Sequence, residues 1–81
     1  SLRAAARGEP KPLLERKALA QELVKHMEAL PAAQRETFLL SEEGELTLEE
    51  IAAATGTSRE TAKSRLRYAV NKLRAALGEL K

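Results

Sequence analysis

The residues with the most chemistry to offer sit together near the C-terminal end of the chain. At about 100° per residue, Glu60, Ser64, Arg67 and Asn71 fall on one side of a helix, with Lys63, Tyr68 and Arg74 flanking them. Such a rod carries cations and hydrogen-bonding groups along one face. Those are the groups that bond base edges and phosphates in a duplex groove. A solvated helix can look the same, so the meaning of the face depends on what holds it. Other chemistries have no residues to work with. There is no cysteine for a disulfide or thiolate site, and His26, the single histidine, has no companion ligands for a metal. No Ser/His/Asp set and no phosphate-cradling glycine loop is present. Glu49 and Glu50 are adjacent, so they diverge on a helix and favour its amino end by their charge. No enzyme activity, cofactor or small-molecule ligand is expected.

The elements that must position this face are legible by local rules. Ala62, Leu66, Ala69, Leu73 and Leu77 recur at steps of three and four and form a narrow stripe for a core. Before them, Thr47 followed by Glu50 is a capping-box pattern that starts a short helix at Leu48. Leu48, Ile51, Ala52 and Thr55 share its inner face. Ala52, Ala53 and Ala54 have little bulk, which lets a second helix approach. Gly56 supplies the left-handed residue that ends the short helix near Thr55. Ser58 is the expected N-cap of a long basic helix from Arg59, with a Thr57/Glu60 capping box as the alternative. A short helix, a glycine turn and a second helix with exposed cations is the helix-turn-helix plan.

Upstream, a first helix is expected from Pro12 or Leu13 to about Ala29, with Leu19, Leu23, Val24, Met27 and Leu30 as its apolar face. A second follows Pro31, over about Ala32 to Ser41, with Ala33, Phe38, Leu39 and Leu40 apolar and Phe38 as the core anchor. Pro31 is tolerated in a first turn. Gly44 permits a turn in the acidic loop Glu42–Glu45, and Leu46 returns to the core. The 81 residues suffice for one small domain, rich in Ala, Leu, Glu, Lys and Arg, the strong helix formers. The predicted fold is all-α: a small four-helix domain over residues 13–81, containing a helix-turn-helix with a long recognition helix. Residues 1–12, with two prolines and a glycine, read as a flexible arm or linker remnant whose Arg3, Arg7 and Lys11 are solvated, with contact to DNA as the alternative. The chain opens on Ser rather than Met, as expected of a piece of a longer protein. The net charge of +2 is uneven: residues 57–81 hold seven cations and two acids, and residues 1–56 hold seven cations and ten acids. One end therefore faces a polyanion, and a membrane surface is disfavoured as partner. No apolar run approaches the ~18 residues of a membrane span.

From Leu30 to Leu77 the chain resembles the C-terminal region-four domain of a bacterial sigma factor, closest to the extracytoplasmic-function type. The residues that carry the resemblance are the Leu30-Pro31…Gln34-Arg35 opening, the Leu46-Thr47-Leu48-Glu49-Glu50-Ile51-Ala52 entry and Thr61-Ala62-Lys63-Ser64-Arg65-Leu66. The resemblance implies a bacterial, cytoplasmic protein of four helices. Its helix-turn-helix would bind the upstream, minus-thirty-five promoter element, and another surface would grip the flap of the RNA polymerase β subunit. An anti-sigma factor would be a possible further partner. By position, the family's groove-facing residues fall on Ser58, Arg59, Thr61, Lys63, Ser64, Arg65 and Arg67 or Tyr68. Many members carry Arg where this chain has Tyr68, which bears on base preference, and a larger aliphatic where it has Ala62, which bears on packing.

The helical wheel directs Lys63, Ser64, Arg67, Tyr68 and Asn71 toward DNA, with Lys63 and Arg67 on bases. Arg59, Arg65 and Arg74 are assigned to phosphate. Two other readings stand beside this one. One is a protein-interaction module, docking the polymerase flap or an anti-sigma factor through a shallow groove lined by Val24, Met27, Leu39 and Leu40. The other is the DNA-binding output domain of a two-component response regulator, which the Leu30–Leu40 segment disfavours.

Overall fold

The computed structural model describes residues 13–78. The proposed arm, residues 1–12, lies outside that range, as do residues 79–81. Four helices follow in order: α1 (Leu13–Glu28), α2 (Ala32–Glu42), α3 (Leu48–Thr55) and α4 (Arg59–Gly78). All four expected helices are present, with ends within a residue or two of their expected positions. The described residues contain no strand, and none of their helices is long and apolar enough to cross a membrane.

α4 is the axis of the molecule. It packs against each of the other three helices, and α2 also touches α3. The inner stripe of α4 behaves as its spacing predicts: Ala62, Ala69 and Leu73 are buried, and Leu66 and Leu77 are half-buried. Two small cores result. At one end, Leu30, Ala69 and Leu73 are joined by Leu23, Met27 and Phe38. At the other, Ile51, Ala52 and Ala62 are joined by Leu40, Leu46 and Leu48. Ala62 and Ala69 are fully enclosed. A methyl group fills each place, so the backbones lie close together.

Three expectations about inward-facing residues need correction. Phe38 is half-buried, and the fully enclosed residue of α2 is Thr37. The inward line of α2 runs through Gln34 and Thr37, three residues apart, while Phe38 and Leu40 straddle it and pack one against each core. Ala52 alone of its three alanines is buried; Ala53 and Ala54 are exposed, one and two residues round the helix. On α1, Val24 is 52% exposed, and the helix contributes no buried residue of its own. In the α2–α3 loop Gly44 does permit the turn, while the left-handed residue is Glu45 (φ 54°). Gly44 is required for a different reason: a Cβ there would stand 2.8 Å from the Leu40 carbonyl oxygen. That close approach lets the loop backbone satisfy the end of α2, with Glu43 and Gly44 donating to the Leu39 carbonyl and Leu46 donating to that of Leu40.

Pro31 opens α2 with no side-chain cap. Its carbonyl accepts from Gln34 and Arg35, both at 3.0 Å. The Arg35 side chain then reaches back and donates to the Glu28 carbonyl at 3.1 Å. This satisfies one of the orphan acceptors at the end of α1 and ties the first two helices together.

Candidate nucleic-acid interface

The turn between α3 and α4 is built as its residues predict. The Glu50 amide donates to Thr47 Oγ1 at 3.2 Å, and the Thr47 amide donates to Glu50 Oε1 at 2.8 Å, so both arms of the capping box are formed. Gly56 is left-handed, at φ 67° and ψ 33°. The amides of Gly56 and Thr57 both donate to the Ala52 carbonyl. Thr55 Oγ1 donates to the Ile51 carbonyl at 2.8 Å and lies 3.1 Å from Thr57 Oγ1. Ser58 is the cap of α4: its Oγ accepts from the Thr61 amide at 3.1 Å and lies 3.0 Å from Thr61 Oγ1. The hydroxyls of Ser58 and Thr61 are therefore engaged at the start of α4 rather than free.

Beyond that turn, Lys63, Ser64, Arg67, Tyr68, Asn71 and Arg74 are all exposed, and Arg65 is half-buried on the flank. Tyr68 is 60% exposed. α4 therefore brings the sequence-selected residues to one accessible surface. Its inner stripe holds Ala62, Ala69 and Leu73 against the protein. An α-helix fits the major groove of B-form DNA, about 12 Å wide. Fixed donors on its outer side would meet base edges there, with cations on its flanks near the phosphates.

Arg59 is exposed but occupied. Its Nε lies 3.0 Å from Glu49 Oε2, and its Nη1 lies 3.7 Å from Glu60 Oε2. The backbone N–H of Glu49 itself, followed by the Arg59 hydrogen bond, holds the Glu49 carboxyl below the usual glutamate range. Sequence reasoning treated Glu49 as a first-turn acid and missed this pairing. The available signal was an acid in the first turn of α3 and a cation opening α4, ten residues apart across a tight turn. His26 Nε2 lies 3.7 Å from Glu22 Oε1, one turn away on α1. Among the described residues, no group of three His, Cys, Asp or Glu side chains could hold a metal.

The four residues selected for protein docking, Val24, Met27, Leu39 and Leu40, lie on α1 and α2. Leu39 and Leu40 line a shallow depression on α2 with Ala32, Arg35 and Glu36. Val24 lines a separate one on α1 with Lys17, Ala20, Gln21, Lys25 and Glu28. Met27 packs against the core formed by Leu30, Ala69 and Leu73.

A family model described as sigma-70, region 4 matches residues 26–75. That range takes in the end of α1, all of α2 and α3, and α4 as far as Ala75. No curated protein and no solved structure gives a significant match.

Proposed function

The chain belongs to the sigma-70 region 4 family, and from that membership and the exposed face of α4 we propose that it reads the upstream, minus-thirty-five promoter element. It would do so as the C-terminal part of a cytoplasmic bacterial sigma factor, of the extracytoplasmic-function type. Region 4 is a DNA-binding regulatory domain of transcription initiation, not a catalytic family. The match favours a sigma factor over the output domain of a response regulator.

One observation carries the reading: Lys63, Ser64, Arg67, Tyr68 and Asn71 stand exposed on the outer side of the helix whose inner side is the core. Lys63 and Arg67 are the base readers, and Arg65 and Arg74 hold phosphate from the flanks. Tyr68 and Asn71 extend the contact toward the C-terminal half of α4. Arg59, already paired within the chain, is a different case.

Binding of labelled duplexes, selected from a random pool, tests this directly. Arg67→Ala should cost about 1–3 kcal/mol on the selected duplex and relax preference at one position. Log affinity should fall with log salt by about 0.9 per phosphate neutralised. Equal affinity for selected and scrambled duplexes, unchanged by Arg67→Ala, would remove the base-reading role.

A second surface is supported by Leu39 and Leu40, half-buried around the α2 depression. We assign it to the RNA polymerase β-subunit flap, with an anti-sigma factor as a competitor for the same place. Leu39→Asp should abolish binding of an isolated flap helix and leave duplex binding intact. Loss of both together would mean that the substitution acts through the fold.

A further inference from the structure

The amino end of α4 carries a charge arrangement that the phosphate reading leaves unused. Arg59 opens α4, and Glu49 is the second residue of α3. The Gly56 turn brings the two helix starts together, so that the guanidinium meets Glu49 at 3.0 Å and Glu60 at 3.7 Å. One cation thus stands between two carboxylates, and the group as a whole is negative. Farther along α4 the cations are differently placed: Lys63, Arg67, Lys72 and Arg74 are exposed and make no ion pair among the described residues.

We propose that Glu49, with Glu60 beside it, withholds Arg59 from the DNA backbone, so that the cationic footprint of α4 begins about one turn in, at Lys63. This rests on the DNA-binding reading of α4. Sequence-blind affinity comes almost wholly from phosphate neutralisation, so a cation already neutralised within the protein drops out of that sum. Base contacts from Lys63 and Arg67 are untouched, because they lie farther along the helix. Glu49 is then a device for limiting attachment to arbitrary duplex, placed just outside the residues that read sequence.

A cycle of four proteins tests it: the unaltered chain, Glu49→Gln, Arg59→Gln and the double variant. Each is titrated against a labelled duplex of arbitrary sequence between about 50 and 200 mM salt. Both side chains are well exposed, at 69% and 48%, and circular dichroism and thermal melting check that each protein folds. The unaltered chain and Arg59→Gln should share one salt slope. Glu49→Gln should be steeper by about 0.9, which is about 3.5-fold more weakening across that range. The double variant should return to the unaltered slope.

Three outcomes overturn the proposal while leaving DNA binding intact. Arg59→Gln alone lowers the slope by about 0.9; Glu49→Gln leaves it unchanged; or Glu49→Gln steepens it equally with and without Arg59, which would mark a general field effect. A salt slope near zero in the unaltered chain overturns the proposal together with the DNA reading beneath it, and is distinguishable on that ground.

Discussion

Gly44 and Gly56 are both required, for opposite physical reasons, and substitutions should separate them. At Gly56 the space beside the backbone is open, and only the left-handed φ of 67° disfavours a side chain. Gly56→Ala should therefore cost about 1 kcal/mol, the strain of an L-residue in that region. At Gly44 the added carbon would press on the Leu40 carbonyl at 2.8 Å, a backbone atom with little freedom to yield. Gly44→Ala should cost about 1–3 kcal/mol, as overpacking does. Urea midpoints should rank Gly44→Ala as the less stable of the two. Thr37 offers the converse case. It is fully enclosed, and its Oγ1 has no hydrogen-bond partner within the protein. Thr37→Val keeps the shape and removes the unpaired hydroxyl, so the urea midpoint should rise by the equivalent of about 1 kcal/mol with the slope unchanged. A fall would show that the hydroxyl is satisfied after all. At Glu49 the folded carboxyl titrates below its unfolded value. Its stabilising contribution is then complete above the usual glutamate range, about pH 4.3, and is lost as pH falls through the folded value. Carboxyl carbon shifts measured by NMR should place that midpoint low, and Arg59→Gln should move it upward.

At the scale of the element, what could be read in advance was what local rules decide. The bounds of α3 followed from Thr47, Glu50 and Gly56, each acting on backbone groups within a few residues of itself. Ser58 and Thr57 are equivalent as caps by residue type, and only the Thr61 amide, which points at the Ser58 Oγ, distinguishes them. The exposed side of α4 was legible because its apolar stripe left one side for solvent. Thr37 was not legible, because the inward line of α2 depends on how that helix settles against α4, and a threonine beside Phe38 gives no local sign of being the buried one. The Arg59–Glu49 pair was hidden for a related reason. Both residue types are ordinary on a surface, and only the turn makes them neighbours. α3 has just eight residues, far below the length that holds a helix by itself. It depends on its caps and on burying Ile51 and Ala52. Thr47→Ala removes the hydroxyl arm of the capping box and should cost about 0.5–2 kcal/mol, read from a thermal or urea melt. Because α4 starts from the same turn, the variant should also weaken duplex binding more than its distance from the exposed face suggests.

The described residues span 43 × 25 × 16 Å, so no point among them lies far from water. Stability is accordingly uneven. α1 contributes no buried residue and adheres chiefly through Leu23 and Met27, whereas α4 is enclosed at Ala62, Ala69 and Leu73. Hydrogen exchange should show the amides of α1 opening well before those around Ala69 and Leu73. Uniform protection along the chain would contradict this division. A different consequence follows from the two sides of α4. The positions turned outward and those turned inward have no member in common. A library randomised at Lys63, Ser64, Arg67, Tyr68 and Asn71 should thus yield mostly well-behaved proteins, differing in target and alike in melting behaviour. Preference for a new operator could then be acquired stepwise, with no intermediate lost to misfolding.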